Sequence, residues 1–177
     1  IQDLPVAVRS SATSEDLKTA SFAGQHESYL WVRGGDEVIQ HIWKCWASLF
    51  TDRAIAYRNQ IGWPHDKVTI SVGVQKMVNA KCAGVMFTID PVMGDENKIV
   101  VEGNWGLGES VVKGEVSPDH FLVDKQSSEI LEKTVSSKLV CYQLEGDKVV
   151  CTPPSLEKQN QLCVNDAELV EIVRLGK

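Results

Sequence analysis

At 177 residues and 43% hydrophobic content, the chain can bury a real core and is sized for about one domain or slightly more. With 18 basic against 24 acidic residues the net charge is −6, which argues against a nucleic-acid backbone as partner and requires any bound phosphate to be held locally. No apolar run approaches the roughly 20 residues of a membrane helix, and the N-terminus lacks the features of a secretory signal, so the chain reads as soluble and cytoplasmic, with no membrane partner.

The chain opens on "IQDLPVAVRS", a strand that delivers Arg9 to its C-terminal end. The run that follows, with Ser10, Ser11, Thr13 and Ser14, suits neither helix nor sheet. Arginine's planar fork binds phosphate oxygens and small residues let the backbone approach, so the stretch is a natural anion site, or else a solvated loop with one surface arginine. "FAGQ" at 22–25 is a small-residue turn that permits either close approach of a ligand or an ordinary bend. In "DEVIQHIWKCWASLF", Val38, Ile42, Trp46 and Leu49 fall on one helical stripe with Ile39, Trp43 and Phe50 beside it. This predicts a core-facing helix over Asp36–Phe50, with both tryptophans in the core. "TDRAIAYRNQIG" is a second helix with Thr51 as N-cap and Gly62 as stop.

From Lys67 onward the pattern is extended, with β-branched runs separated by turn residues. Asn79-Ala80 predicts a hairpin between the first two of these strands, and Gly146-Asp147 predicts another. In "GNWGLGESVVKGEVSPDHF", Gly103, Gly106, Gly108 and Gly114 interrupt an apolar segment. It is neither a dinucleotide fingerprint nor a Walker A loop. Glu102 and Glu109 lie seven apart across glycines, a weak basis for paired acid–base chemistry. The five cysteines, Cys45, Cys82, Cys141, Cys151 and Cys163, are odd in number and form no C-x-x-C pair, which predicts reduced, mostly buried thiols. The chain ends on a helix starting at Asn165 or Asp166, with Leu169, Ile172 and Val173 on one face. With no later element to cover them, these residues are expected to be exposed and the chain to be a piece of a longer protein.

Taken together, "VAVRSSATSEDLKTASFAGQHESYL", "VGVQKMV", "AGVMFTIDP" and "GNWGLGESVVKGEVSPDHF" resemble the N-terminal nucleotide-binding domain of the phosphoenolpyruvate synthase and pyruvate phosphate dikinase family, which includes rifampicin phosphotransferase and phenylphosphate synthase. The blocks occur in family order over 6–125, and 126–177 form a β-rich extension and the start of a C-terminal helix. The resemblance implies an α+β, ATP-grasp-like domain with a mainly antiparallel sheet and flanking helices, truncated at both ends. Such a domain binds ATP with Mg2+ and phosphorylates a histidine on a swivelling domain, which hands the phosphoryl group to pyruvate or another acceptor bound on a further domain of the same chain or a separate subunit.

By the same resemblance, Arg9 matches the arginine that contacts the ATP phosphates, with Ser10 beginning the hydroxyl-rich loop and Gly24 and Gln25 in the loop that closes over them. Ser28 stands where threonine is more usual and keeps the hydroxyl. Gln75 matches the glutamine at the adenine end, with the Lys76, Met77 and Val78 backbone meeting the base edge. The family's metal ligands and its Gln-x-Arg-Pro strand have no counterpart, and none of His26, His41, His65 and His120 lies in the phosphohistidine setting. The resemblance thus implies no catalytic or metal-binding residue in this stretch, which alone would not transfer phosphate. The alternative is a stand-alone nucleotide-binding or regulatory module.

Overall fold

A computed structural model describes residues 4–12, 16–17, 20–21 and 28–177 and divides the chain into two compact units, Ile1–Val78 and Asn79–Lys177. Helices and antiparallel ladders alternate irregularly along the chain, which makes the architecture α+β. Among the described residues no helix is long and apolar enough to cross a membrane.

In the first unit, β1 (Val6–Ala12) is followed by the two-residue strands β2 (Asp16–Leu17) and β3 (Ala20–Ser21), which pair with each other, and by β4 (Ser28–Val32). Helices α1 (Gly35–Ala47) and α2 (Asp52–Gln60) precede β5 (Ile70–Lys76). The sheet order is β4-β1-β5, antiparallel throughout. β1 does not break after Arg9: Ser10, Ser11 and Ala12 continue it, opposite Val72, Ser71 and Ile70. A neighbouring strand that supplies ladder hydrogen bonds overrides the weak strand preference of serine.

Helix α1 covers one face of this sheet and buries Cys45 against Val8 and Val32, with Val38 and Ile42 packed around them. The stripe in contact is therefore Val38–Ile42–Cys45, which keeps Val38 and Ile42 of the predicted one but has Cys45 in place of Trp46. Trp43 is 62% exposed, Trp46 48% and Phe50 67%, so the tryptophans are not core residues of this unit. The helix is apolar over more of its circumference than a three-stranded sheet can cover, and periodicity alone does not say which part of a wide stripe makes the contact. The Thr51 hydroxyl caps α2 by accepting from the Ala54 amide at 3.3 Å, and Gly62 follows the helix at φ +67°.

In the second unit, β6 (Cys82–Phe87), β7 (Lys98–Trp105), β8 (Asp119–Asp124) and β9 (Ile130–Thr134) form a four-stranded meander, with the short helix α3 (Glu109–Val112) between β7 and β8. The hairpin β10 (Cys141–Glu145) and β11 (Lys148–Thr152) turns at Gly146, φ +61°, as its sequence predicts. The hairpin predicted at Asn79-Ala80 does not form, because β5 pairs with β1 while β6 pairs with β7. Each strand matches an apolar partner in its own unit, Val72 packing with Val8 and Met86 lying opposite Val101.

After α4 (Leu156–Gln159), the last helix α5 (Asp166–Leu175) starts with a capping box in which Asn165 and Glu168 exchange side-chain to backbone hydrogen bonds at 2.9 Å. The expected exposure of its apolar face does not occur. Leu169 and Val173 are fully buried with Ile99, Val101, Phe121 and Val123, and Ile172 is half-buried against them. The inward residues of β7 and β8 alternate with period two and present a continuous apolar face to the helix.

At the start of β8, Asp119 is fully buried with Lys138. Asp119 also accepts from the amides of Ser136 at 3.0 Å and Cys163 at 2.8 Å, and Lys138 donates to the Ser136 carbonyl at 2.9 Å. All five cysteines are free thiols; Cys45, Cys141 and Cys163 are buried, Cys82 is half-buried and Cys151 is exposed.

Candidate functional site

The face of the first unit's sheet turned away from α1 carries Arg9, Ser28 and Gln75 of the expected site residues. Val8 is fully buried under α1, and side chains alternate along a strand, so Arg9 must point to the opposite face. Across the ladders, Arg9 stands opposite Ser28 on β4 and Gly73 on β5, and Ala7 stands opposite Gln75. Directly paired residues share a face, which gathers Arg9, Ser28 and Gln75 on one surface. All three are exposed, and among the described residues the Arg9 guanidinium has no carboxylate partner.

Gly73 leaves this surface open where a side chain would otherwise stand across from Arg9. A Cβ built there would meet only the Arg9 carbonyl oxygen, at 3.9 Å, so the space belongs to nothing else among the described residues. Register holds the arrangement in place: slipping β1 by one residue would bury Arg9 under α1 and expose Val8, which the apolar cluster forbids.

Other expected contributors are placed differently. The Ser10 side chain is half-buried on the α1 side of the sheet, away from Arg9. Lys76 pairs with Val6 and is directed to that side too. The Met77 amide is committed, donating to the Pro5 carbonyl at 2.9 Å. In an antiparallel ladder this alternation turns the main-chain groups of Lys76 and Val78 toward the outer edge of β5, which is unpaired among the described residues. Gly24 and Gln25 lie outside the described residues.

The glycine-rich segment has a different occupation. Gly106 takes φ +75°, and a Cβ there would fall 2.2 Å from the Tyr142 carbonyl oxygen. Its amide donates to the Lys81 carbonyl at 2.9 Å, and that of Leu107 donates to the Tyr142 carbonyl at 2.7 Å. The segment therefore stitches the end of β7 to β10 and to the entry of β6. Asn104 reinforces the stitch by donating to Ser110 Oγ and the Val140 carbonyl. Glu102 faces His120 at 3.7 Å and Glu109 pairs with Lys113 at 3.0 Å, so each carboxylate has its own basic neighbour. Among the described residues no group of three or more His, Cys, Asp and Glu could hold a metal ion.

The sequence reading missed two satisfied polar clusters. One is Asp119 with Lys138. The other is Arg58, buried in α2, whose Nε donates to His65 Nδ1 at 2.9 Å and whose Nη2 donates to the Leu49 carbonyl. The only local signal for either is a charged residue amid apolar neighbours, which does not distinguish a buried group from an exposed one.

The exposed Arg9 thus shares one sheet face with the Ser28 hydroxyl, the Gln75 amide and Gly73. The whole chain, residues 1–177, matches the family described as pyruvate phosphate dikinase, AMP/ATP-binding domain, and belongs to it. It is 46% identical over 175 residues to a probable phosphoenolpyruvate synthase of Methanothermobacter thermautotrophicus, covering 99% of this chain and 25% of that protein. It is 48% identical over 171 residues to a probable phosphoenolpyruvate synthase of Staphylothermus marinus, covering 97% and 20%. With the phosphoenolpyruvate synthase of Pyrococcus furiosus the identity is 44% over 186 residues, covering 99% and 22%. The chain thus spans a quarter or less of the length of these relatives.

Proposed function

We propose that the exposed face bearing Arg9, Ser28 and Gln75 contacts ATP within a phosphotransferase of the phosphoenolpyruvate synthase type. The observation that carries this reading is the exposed Arg9 guanidinium, without a carboxylate partner among the described residues, opposite the space at Gly73. Its fork presents several donors in the plane that phosphate oxygens prefer. Ser28 adds a hydroxyl beside it, Gln75 offers an amide two residues further along β5, and the outward main-chain groups of Lys76 and Val78 suit the edge of a base.

In this reading the complete protein transfers a phosphoryl group from ATP to a histidine of another domain, and from there to pyruvate or another acceptor. Arg9 contributes by stabilising charge that shifts among the phosphate oxygens as the transferring bond loosens. Magnesium would accompany the nucleotide, and the family resemblance matches none of its ligands to a residue of this stretch. We place the protein in the cytoplasm, where ATP is available.

The test is calorimetric titration of the complete protein with magnesium-ATP, comparing the wild type with Arg9→Ala. Loss of a charge-assisted bidentate contact is worth about 1.5–3 kcal/mol, so affinity should fall roughly 10- to 100-fold while the thermal unfolding midpoint is unchanged. Equal affinity in the variant would remove Arg9 from the nucleotide site.

A further inference from the structure

Cys82 opens β6 and shares its inward face with Gly84 and Met86, opposite Trp105, Gly103 and Val101 of β7. Gly84 faces Gly103 directly, so side chains are missing from both strands at one level of the sheet. The thiol of Cys163, from the segment entering α5, occupies that gap: a Cβ on Gly103 would lie 3.0 Å from its sulfur. The Cys163 amide is held by Asp119 Oδ2 at 2.8 Å, which fixes where the thiol can reach. Cys82 packs against the apolar cluster that contains Cys163, and both line a cavity of about 130 Å3 with Met86, Val101, Phe121 and Ile172. That volume admits a small oxidant, since a liquid water occupies about 30 Å3.

We propose that Cys82 is a hydroperoxide-reactive modification site with Cys163 as its resolving thiol, the two closing a disulfide that staples β6 to the start of α5. The environments of the two sulfurs differ in the sense this division of labour needs. The neighbouring Cys163 side chain and the positive charge of Lys81 lower the Cys82 thiol from its ordinary range, against the opposing effects of burial and Glu168. The neighbouring Cys82 side chain, burial and the Asp119 carboxylate raise the Cys163 thiol and keep it protonated. Lys81 is paired with Glu168 Oε1 at 2.7 Å, which positions the lysine at the head of β6.

In the reaction, the Cys82 thiolate attacks one oxygen of hydrogen peroxide. The O–O bond breaks and hydroxide leaves, taking up a proton to become water, and Cys82 becomes a sulfenic acid. Cys163 then loses its proton and its sulfur attacks that of Cys82. The S–O bond breaks and the departing hydroxide leaves as water with the Cys163 proton. Two thiols lose two electrons in all, and one peroxide is reduced to two waters.

The experiment treats the purified complete protein with hydrogen peroxide, blocks remaining thiols with iodoacetamide, and maps the peptides by mass spectrometry with and without dithiothreitol. The expected product is a Cys82–Cys163 linked peptide, two hydrogens lighter than its reduced parts and abolished by dithiothreitol. In Cys163→Ser the linkage is lost and a dimedone-reactive sulfenic acid accumulates at Cys82. Exposed Cys151 serves as the comparison and should stay alkylatable under conditions that convert Cys82. A wild-type map in which Cys82 stays free, or is oxidised without linking to Cys163, overturns the proposal, and this readout does not depend on any variant folding. Nucleotide affinity plays no part in it, so it stands or falls separately from the Arg9 reading.

Discussion

Arg9 in the first unit and the Asp119–Lys138 pair in the second treat charge in opposite ways. On the first unit's sheet, Arg9 stands exposed with no described carboxylate beside it and open space opposite at Gly73. In the second, Asp119 and Lys138 are wholly buried, and between them they engage the backbone of Ser136 and Cys163. A buried pair with each partner's hydrogen bonds supplied from within leaves nothing for a ligand to satisfy. An exposed guanidinium with room in front of it costs the fold almost nothing and is ready for an anion. The charge of the Asp119–Lys138 pair therefore serves assembly, as that of buried Arg58 does in the first unit, whereas Arg9 is the exposed charge that the proposed function uses.

The sharpest way to break this comparison is to remove one member of the buried pair. Lys138→Ala leaves the Asp119 carboxylate uncompensated and should destabilise the protein by about 3–5 kcal/mol in denaturant unfolding. The Arg9→Ala change described above should leave the unfolding midpoint within about 0.5 kcal/mol of wild type. Similar losses of stability from both would erase the distinction.

Gly106→Ala tests whether the glycine-rich segment belongs with the assembly half. Forcing a side chain into φ +75° costs about 1–3 kcal/mol, and the contact with the Tyr142 carbonyl adds to it. Its effect should appear in stability, measured by denaturant titration, and not as a selective loss of nucleotide affinity in protein that remains folded.

Trp43→Ala marks the boundary of the first unit's core. With the ring 62% exposed, the change should fall within about 0.5 kcal/mol of wild type. A loss near the roughly 3–5 kcal/mol typical of a buried tryptophan would mean that the complete protein covers this face of α1.

The smallest effect is a pH dependence in the second unit. The Ser127 amide and hydroxyl, with Lys98 and the Gln126 amide, lower the Asp124 carboxyl to about 2, against about 3.9 in an unfolded chain. The folded state binds this proton less readily than the unfolded one. The group's contribution is therefore complete above about pH 4 and is lost as pH falls toward 2. Unfolding curves of Asp124→Asn and wild type should converge over that interval. Curves that stay equally far apart throughout would show that Asp124 does not respond to acid in this way.

Local chemistry accounts for what the sequence by itself determined: the Thr51 cap, the Gly146 turn, the α5 start at Asn165, and Arg9 as an anion-binding candidate are all written in a few adjacent residues. The α+β class follows from helical periodicity giving way to β-branched runs. Tertiary structure alone decided which strands pair, because β5 and β6 carry compatible patterns and only the partners available in each unit, β1 and β7, choose between a hairpin and two separate sheets. It also decided which side of the wide apolar stripe of α1 is buried, since a three-stranded sheet covers only part of the helix. Leu169 and Val173 acquired a neighbour from β7 and β8, far back in the chain, and Asp119 met Lys138 and the Cys163 amide in the same way. Each of these depends on residues distant in sequence becoming adjacent in space, and a local pattern carries no record of its eventual neighbours.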